Sequence, residues 1–240
     1  MKHLIDEAVG LLQEAKSKHD DKLVYSCSLG SQGMVLIDLI CKHELNIRIL
    51  TLDTGRLPQA TYDLMDAIRE RYGNVIDVVF PDTEEVQDMV RDHGCNLFYR
   101  SVENRKMCCA IRKVHPLQKA LAGMEAWITG RRQDEAKNRA DIAAVEDDVV
   151  YGLKKYNPMR HWTEKDVWAY IREHDLPYNK LHDAFYVSIG CEPCTRAISM
   201  GEDPRAGRWW WEGGDTLAEC GLHVTSLVRP KGEGESGDGI

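Results

Sequence analysis

Short apolar runs alternate with helical segments along the first half of the chain, and this order limits the fold more than any other feature. Four runs have the length and composition of buried strands, at residues 23–27, 47–52, 75–80 and 126–129. Apolar residues at helical spacing occur around them, as at 2–18. Strands separated by helices indicate right-handed βαβ units. The sequence therefore predicts an α/β fold with a parallel sheet flanked by helices.

Three predicted loops follow the carboxyl ends of these strands and have similar compositions. They cover residues 26–33, 53–56 and 130–139, and all three are rich in Gly, Ser or Arg. Ligands of open parallel sheets bind beyond the carboxyl ends of the strands. We therefore expect the three loops to form one binding cleft.

Capping residues mark the ends of two further helices. Asp82 and Thr83 are suited to cap a helix that Gly94 ends. Thr163, followed three residues later by Asp166, has the pattern of a capping box. We expect a helix to begin at each of these caps.

The composition fits one globular domain. The chain has 240 residues, of which 43% are hydrophobic and 29% charged, as is typical of a soluble enzyme with one core. We predict a single domain over 1–228, made of an α/β core over 1–150 and a helical, cysteine-rich part over 151–228. The Gly- and Glu-rich residues 229–240 predict a disordered tail.

The charge and the N-terminus bear on location and partners. No run is long and apolar enough to cross a bilayer, and the N-terminus lacks the apolar core of a secretory signal, so we expect a cytoplasmic protein. The net charge of −8 disfavours nucleic-acid and membrane partners. A small anionic ligand is still compatible with local groups of basic residues. These groups are Arg131 and Arg132 with Arg139, and Arg205 with Arg208.

Four of the eight cysteines have the spacing of metal ligands. Cys108 and Cys109 are adjacent, while Cys191 and Cys194 form a CxxC pair. Four thiolates can hold a tetrahedral zinc ion or a 4Fe–4S cluster. Adjacent side chains diverge, which suits several irons better than one zinc ion, so the cluster is favoured over zinc. Two unrelated pairs of buried cysteines are the plainer alternative.

The other cysteines have no such partners. Cys27, Cys41 and Cys95 are expected to be core residues. Cys220 lies near several glycines, and a nearby positive charge would make its thiolate a strong nucleophile. His223 is one source of that charge, and an anion-binding cleft is another. From this segment alone, a catalytic cysteine and an incidental near-terminal cysteine are equally compatible with the sequence.

Several motifs, in a fixed order, resemble one known family. The sequence is similar to the sulfonucleotide reductases of assimilatory sulfate reduction from about residue 23 to residue 224. The motifs are SCSLGSQG, LDTGRLPQATY, CCAIRKVHPL, WITGRR, NPMRHWTEKDVWAYI, LPYNKLHD, SIGCEPCTR, GRWWWE and AECGLH. The resemblance implies the adenine-nucleotide hydrolase-like fold, which is Rossmann-like and has a modified pyrophosphate-binding (PP) loop, with the nucleotide bound by the 1–150 core.

The resemblance also implies an activity. Family members that reduce adenylyl sulfate (adenosine 5'-phosphosulfate) carry the four cluster cysteines and tend to have Arg and Leu after Asp-Thr-Gly, as residues 53–57 do. They release sulfite and AMP through an S-sulfocysteine, here on Cys220, with thioredoxin or a glutaredoxin-like protein as reductant. The family also suggests a homo-oligomer.

Three alternatives remain at this point. One is the same chemistry on the 3'-phosphorylated nucleotide, because Gln32 and Gly33 replace an acidic pair common in the adenylyl-sulfate class. Another is an ATP-using enzyme of the tRNA-thiolation type, which the lack of an acidic residue in the loop at 28–33 disfavours. The last is a non-catalytic iron–sulfur sensor, in which Cys220 would be dispensable.

The matching family positions predict the substrate contacts. The nucleotide is expected to lie across the strand ends, with cationic side chains around its phosphosulfate. Residues 130–136 depart from the usual Gly-x-Arg-Arg-x-Gln-Ser pattern, which weakens the role of the arginines there. The expected contacts are Ser26, Ser28, Leu29, Gly30, Leu52, Asp53, Thr54, Arg56, Lys113, Gly130, Arg132, Arg139, Arg205 and Arg208.

Overall fold

A computed structural model describes residues 1–135 and 142–212 of the chain. Arg139, Cys220 and His223 lie outside the described residues, as does the tail predicted for 229–240. The roles predicted for these residues stay predictions.

Within the described residues, six strands form one sheet in the order β3-β2-β1-β4-β6-β5. Neighbouring strands are parallel, except that β5 and β6 are antiparallel. The predicted α/β fold with a mainly parallel sheet is therefore confirmed. The strands are β1 (Leu23–Ser26), β2 (Arg48–Leu52), β3 (Ile76–Val79), β4 (Ala126–Ile128), β5 (Val145–Asp148) and β6 (Leu153–Tyr156).

Helices flank both faces of the sheet. Asp82 is the N-cap of the helix that begins at Thr83, and its Oδ1 accepts from the backbone N–H of Glu84 at 2.9 Å, so Thr83 is the first helical residue and not the cap. Thr163 forms a capping box with Asp166, as predicted. A π-helical turn, Ala110–Val114, joins two of the helices. The helices are α1 (Lys2–His19), α2 (Ser31–Lys42), α3 (Gln59–Tyr72), α4 (Thr83–His93), α5 (Val102–Cys109), α6 (His115–Leu121) and α7 (Glu164–Glu173).

The core lies on both sides of β1. Leu23 and Tyr25 pack with α1 and α2 on one face, while Val24 packs with Leu117 and Trp127 on the other. A strand that is buried on both faces has a continuous run of apolar residues in its sequence. This is why β1 could be predicted from the sequence. Full burial of a side chain such as Leu contributes about 1.5–3 kcal/mol to folding.

A third apolar cluster includes three of the four paired cysteines. It contains Met89, Leu97 and Phe98 together with the buried Cys191 and Cys194, and Cys108 packs against it. Segments 95–101 and 189–196 therefore meet in this cluster.

The three remaining described cysteines differ in burial. Cys27 is buried as expected, and Cys41 is half-buried against the core. Cys95 is exposed, so its predicted core position is wrong; it lies in the turn between α4 and a short 3₁₀ helix, where backbone polar groups need access to water. In the described part of the chain, no helix combines the length and apolar character needed to cross a membrane.

Candidate active site

A cavity of ≈ 360 Å³ opens at the carboxyl ends of β1, β2 and β4. The chain continues from β1 to β2 and β3 on one side and to β4 on the other, so the crevice lies where the strand order reverses. Its volume falls in the range of about 300–1,000 Å³ usual for small-molecule sites. Of the expected contacts, those that line it are Ser26, Ser28, Leu29, Gly30, Leu52, Thr54, Lys113, Gly130, Arg132, Arg205 and Arg208.

The loop after β1 forms one wall of the cavity. Leu29 adopts a positive φ of 57°, and its backbone N–H donates to Cys27 Sγ at 3.3 Å. A Cβ on Gly33 would lie 2.8 Å from the same sulfur, so the glycine lets α2 begin directly against β1. The N–H groups at the start of a helix favour an anion, and the first turn of α2 lines the cavity.

A second wall carries opposite charges. Gln32 Nε2 donates to Glu135 Oε1 at 2.9 Å, and the backbone N–H of Arg132 donates to Glu135 Oε2 at 3.2 Å. The Arg132 guanidinium lies 3.3 Å from Asp134. A Cβ on Gly130 would lie 3.1 Å from Gln32 Cγ, so this glycine leaves room for the glutamine. The charge of Arg132 is thus partly compensated at the cavity edge.

Two expected contacts do not line the cavity. The buried Asp53 carboxylate accepts from the backbone N–H of Gly55 at 2.7 Å and from the Tyr62 hydroxyl at 3.0 Å. Arg56 donates to the carbonyl of Cys95 and to the Asn96 side chain, both at 3.1 Å. These side chains hold the turn after β2 and the loop after α4, so their roles as substrate contacts stay predictions.

The cations Lys113, Arg205 and Arg208 line another part of the cavity. Arg208 donates to Ser188 Oγ at 3.3 Å. A Cβ on Gly190 would lie 2.3 Å from Arg208 Nη2, so only glycine lets the guanidinium rest against this backbone. Arg208 can therefore keep this position beside the CxxC loop only while residue 190 is glycine.

The four predicted ligand cysteines are brought together. Cys108 and Cys109 end α5, and Cys194 ends the 3₁₀ turn Glu192–Cys194 that follows Cys191. Cys108 interacts electrostatically with Cys191, and Cys194 with both Cys191 and Cys109. We call these four side chains the thiol group. Within residues 1–135 and 142–212, no three His, Cys, Asp or Glu side chains form a site for a single metal ion.

The pKa values of these thiols reflect burial and crowding. Burial raises the pKa of Cys194 to about 12, and the neighbouring Cys191 and Cys109 add to this increase. Burial also raises the pKa of Cys108, which the Arg112 charge opposes. For Cys191, burial is again the largest effect, but the Lys113 charge and a hydrogen bond from Thr54 bring its pKa below the ordinary value. A metal bound here would hold these cysteines as thiolates, against the raised pKa values of Cys108 and Cys194.

The surroundings of the thiol group fit an iron–sulfur cluster. Trp209 packs with Cys191 and Cys194, and Trp211 packs against the same cluster of residues. The indole N–H groups of both tryptophans are buried and have no hydrogen-bond partner among residues 1–135 and 142–212. Buried N–H donors beside thiolates are suited to sulfur acceptors, and soft thiolate ligands suit iron–sulfur clusters.

Sequence reasoning missed Arg112 as part of the site. It is 8% exposed, and its Nη1 donates to the Thr54 carbonyl at 2.6 Å. It follows Cys109 by three residues and precedes Lys113, so the one available signal was its place inside the CCAIRK motif. Arg112 joins the turn after β2 to the π-helical turn after the cysteine pair.

Comparison with known proteins places the chain in a family. The sequence model described as "Phosphoadenosine phosphosulfate reductase domain" matches residues 22–197. The chain belongs to this family. The resemblance to the sulfonucleotide reductases is thereby confirmed.

Relatives within the family are similar over most of their length. A protein of Burkholderia cepacia named adenosine 5'-phosphosulfate reductase is 47% identical over 97% of this chain and 92% of its own. One of the same name from Allochromatium vinosum is 50% identical over 85% of this chain and 79% of its own. Adenosine 5'-phosphosulfate reductase 2 of Bacillus subtilis is 45% identical over 92% of this chain and 90% of its own.

Solved structures support the same fold. A phosphoadenylyl-sulfate reductase from Candida auris, in complex with phosphate, has a TM-score of 0.68 and 27% identity, covering 80% of this chain and 90% of that one. Candida glabrata FMN adenylyltransferase, in complex with FMN and an ATP analogue, has a TM-score of 0.58 and 13% identity, covering 87% of this chain and 72% of that one. The second likeness concerns the fold alone.

Proposed function

We propose that this chain reduces adenosine 5'-phosphosulfate to sulfite and AMP. The observation that carries the proposal is the position of the thiol group beside a cavity lined by Lys113 and Arg208, both of which act electrostatically on Cys191. Relatives at 42–50% identity bear the name of this activity.

The cavity accounts for binding of the nucleotide. The adenine is expected to meet the backbone at 52–54, and the first turn of α2 offers N–H groups to an anion. Lys113, Arg205 and Arg208 supply positive charge around the phosphosulfate. These donors offset the charge of the sulfonate and stabilise the phosphate of AMP as it departs.

The first chemical step belongs to Cys220. Its thiolate attacks the sulfonate sulfur, a Cys220 Sγ–S bond forms, and the S–O bond to the phosphate breaks. The bonding electrons leave with AMP, and the enzyme holds an S-sulfocysteine. His223 lies three residues further along the chain. A positive charge on its imidazole would stabilise the Cys220 thiolate.

A dithiol reductant completes the reaction. One thiolate of thioredoxin, or of a glutaredoxin-like protein, attacks Cys220 Sγ and displaces sulfite. The second thiol of the reductant resolves the mixed disulfide and restores Cys220, so that two electrons pass from the dithiol to the sulfur of the substrate. This scheme requires a reducing compartment such as the cytoplasm.

Cys108, Cys109, Cys191 and Cys194 would hold a 4Fe–4S cluster. When bound, the cluster supplies a fixed charge next to the cations of the cavity. Thr54 shares a hydrogen bond with Cys191, and Arg112 ties the Thr54 carbonyl to the π-helical turn. Lys113 follows Arg112, lines the cavity and acts electrostatically on Cys191, so its charge is available to both the thiol group and a ligand in the cavity.

The substitution Cys220→Ser tests the reaction. The variant should form neither sulfite nor the covalent adduct, while iron and acid-labile sulfide stay at the level of the unsubstituted protein. Cys95→Ser, which removes an exposed cysteine, is the matched control and should keep full turnover. Normal turnover by Cys220→Ser would end the proposal.

The 3'-phosphorylated nucleotide is the second candidate substrate. The Candida auris reductase, named for that substrate, supports it through its similar fold. Steady-state assays of both nucleotides, with thioredoxin as donor, would decide between them. We expect the larger kcat/KM with adenosine 5'-phosphosulfate.

A further inference from the structure

The Cys27 thiol lies where β1 passes into the loop before α2, at the wall of the cavity. The residue is 3% exposed, and its sulfur accepts from the backbone N–H of Leu29 at 3.3 Å. The Tyr25 hydroxyl shares a further hydrogen bond with the same thiol. Cys27 is thus buried, as expected of a core residue, but it also makes two directed bonds that apolar packing does not require.

Leu29 has a backbone conformation that leucine rarely adopts. Its φ of 57° lies in the left-handed region, which is unfavourable for residues that carry a Cβ. Residues strained in this way persist only where the surrounding contacts determine them, and they concentrate at ligand sites. The hydrogen bond from the Leu29 N–H to the Cys27 sulfur is such a contact.

The left-handed turn at Leu29 sets the direction in which α2 begins. Gly30 is the N-cap of this helix, so Leu29 is the last residue before the cap. The backbone N–H groups of the first turn have no acceptor within the helix, and Ser31, Gln32 and Gly33 line the cavity. A different φ at Leu29 would change the direction of these N–H groups relative to β1, because the chain between β1 and α2 rotates about that bond.

The Cys27 sulfur also packs against the first turn of α2. A Cβ on Gly33 would lie 2.8 Å from this sulfur and 3.5 Å from the Tyr25 hydroxyl, so the thiol is held between the end of β1 and the beginning of α2. Burial raises the pKa of Cys27 above its ordinary value, and the thiol therefore stays neutral. A neutral sulfur can accept from an N–H group without placing a negative charge beside the anion site.

We propose that Cys27 is a positioning residue for the anionic part of the nucleotide. The inference rests on the proposed function, in which the first turn of α2 offers its N–H groups to that anion. The bond between Leu29 and the Cys27 sulfur holds the loop in its binding conformation before the ligand arrives, so the ligand does not have to supply the free energy of ordering it. Without this bond, a smaller fraction of the molecules is competent to bind, and the apparent affinity falls by that fraction.

The test measures the binding of AMP to the anaerobically purified enzyme by titration calorimetry. AMP carries the adenine and the phosphate but no sulfonate, so this readout does not depend on the reaction. Cys27→Ala removes the acceptor of the Leu29 N–H, whereas Cys27→Ser keeps an acceptor at the same position. Cys41→Ala is the matched control, because it makes the same change at a half-buried cysteine of α2 that does not line the cavity.

We expect Cys27→Ala to weaken AMP binding about tenfold, Cys27→Ser to stay within about threefold of the unsubstituted enzyme, and Cys41→Ala to match it. With adenosine 5'-phosphosulfate, the KM of Cys27→Ala should rise by a similar factor while kcat changes by less than about twofold, as fits a loss of uniform binding. Normal AMP affinity in Cys27→Ala would overturn the proposal. A Cys27→Ser enzyme that binds AMP as weakly as Cys27→Ala would overturn it too, since the loss would then come from packing.

A second background separates the backbone of Leu29 from the packing of Cys27. Leu29→Gly removes the side chain that makes a positive φ unfavourable. In the Leu29→Gly background, Cys27→Ala should therefore weaken AMP binding by less than about threefold, and a full tenfold loss there would contradict the proposal. If Cys27→Ala does not fold, Cys27→Val, which is apolar and offers no acceptor, takes its place with the same expected outcomes.

The two proposals fail in different ways. If the unsubstituted enzyme binds AMP but forms no sulfite from adenosine 5'-phosphosulfate, the proposed function is wrong, while the AMP titrations still judge the role of Cys27. If the unsubstituted enzyme does not bind AMP, the role of Cys27 in binding the nucleotide is wrong as well.

Discussion

Thr54 and Cys191 are 137 positions apart in the chain, yet Thr54 Oγ1 and Cys191 Sγ share a hydrogen bond of 3.2 Å. Thr54 lines the cavity after β2, and Cys191 is part of the thiol group. One buried contact thus joins the wall of the cavity to the cysteines that would hold the cluster.

The substitution Thr54→Val removes this contact without changing the shape of the side chain. The backbone N–H of Arg56, which donates to Thr54 Oγ1 at 3.2 Å, also loses its acceptor. We expect the free energy of unfolding to fall by about 1–3 kcal/mol, the usual cost of leaving buried polar groups unpaired. Anaerobic urea denaturation measures it.

Thr83→Val, at an exposed position on α4, is the control. It should change the free energy of unfolding by less than about 0.5 kcal/mol. Equal stability of the two variants would show that the contact between Thr54 and Cys191 contributes little.

Gly190→Ala should displace Arg208, because the new Cβ would lie 2.3 Å from its guanidinium. The guanidinium is the flexible end of a side chain, so it can move away while the fold is kept. Loss of one well-placed cationic donor should lower kcat/KM by about 100-fold. Steady-state kinetics with adenosine 5'-phosphosulfate provide the measurement.

Gly10→Ala is the matched control for this change. Nothing lies within 4 Å of a Cβ at Gly10 on α1, so activity should be unaffected. Full activity of Gly190→Ala would mean that the position of Arg208 does not matter for turnover.

Cys194→Ser should prevent stable metal loading. Serine oxygen is a poor ligand for iron–sulfur clusters, which are held by thiolates. Iron and acid-labile sulfide in anaerobically purified protein should fall far below the unsubstituted level, whereas Cys95→Ser should retain both. Full iron in Cys194→Ser would remove this residue from the ligand set.

Tyr170 lends itself to a prediction about pH. Its hydroxyl donates to the buried Asp38 at 2.7 Å, and Tyr72 donates to the same carboxylate at 2.9 Å. Burial, followed by the hydrogen bond to Asp38, raises the pKa of Tyr170 above its ordinary value. Its contribution to stability is thus fully present below about pH 10, where the unfolded tyrosine ionises, and is lost as the pH rises toward the pKa of the folded state.

Tyr170→Phe should therefore have two effects on the free energy of unfolding. At neutral pH it should fall by about 1–3 kcal/mol, because Asp38 loses a donor. Above about pH 10 it should decline less steeply than in the unsubstituted protein. Tyr178→Phe, which removes an exposed hydrogen bond to Asp183, should show neither effect, and an unchanged alkaline slope in Tyr170→Phe would contradict the assignment.

The sequence predicted the strands with apolar runs, including the partly exposed edge strand β3, and missed those that are charged. Val24 and Leu50 lie in continuous apolar runs, so β1 and β2 stood out. β5 and β6 did not, because acidic residues fill most of β5 and two lysines interrupt β6. Lys155 and Asp148, which are buried as a salt bridge of 2.6 Å across these strands, look like surface residues in a linear sequence.

The candidate site could be predicted as a set of motifs but not as a geometry. The spacing of the cysteines indicated four ligands, and the structure groups them. Nothing in the sequence showed that Asp53 and Arg56 would turn to the supporting loops, or that Arg105 would pair with Glu212. Such long-range partners depend on how the segments pack, which local patterns do not record.

The distance in sequence between the two cysteine pairs has a consequence for biosynthesis. Cys109 precedes α6, and Cys191 follows α7, with β4, β5 and β6 in between. A chain emerging from the ribosome therefore presents Cys108 and Cys109 before β4, β5 and β6, and presents Cys191 and Cys194 after them. If the four cysteines hold a cluster, as proposed above, its insertion would need both halves of the chain, and so would follow the synthesis of the central sheet.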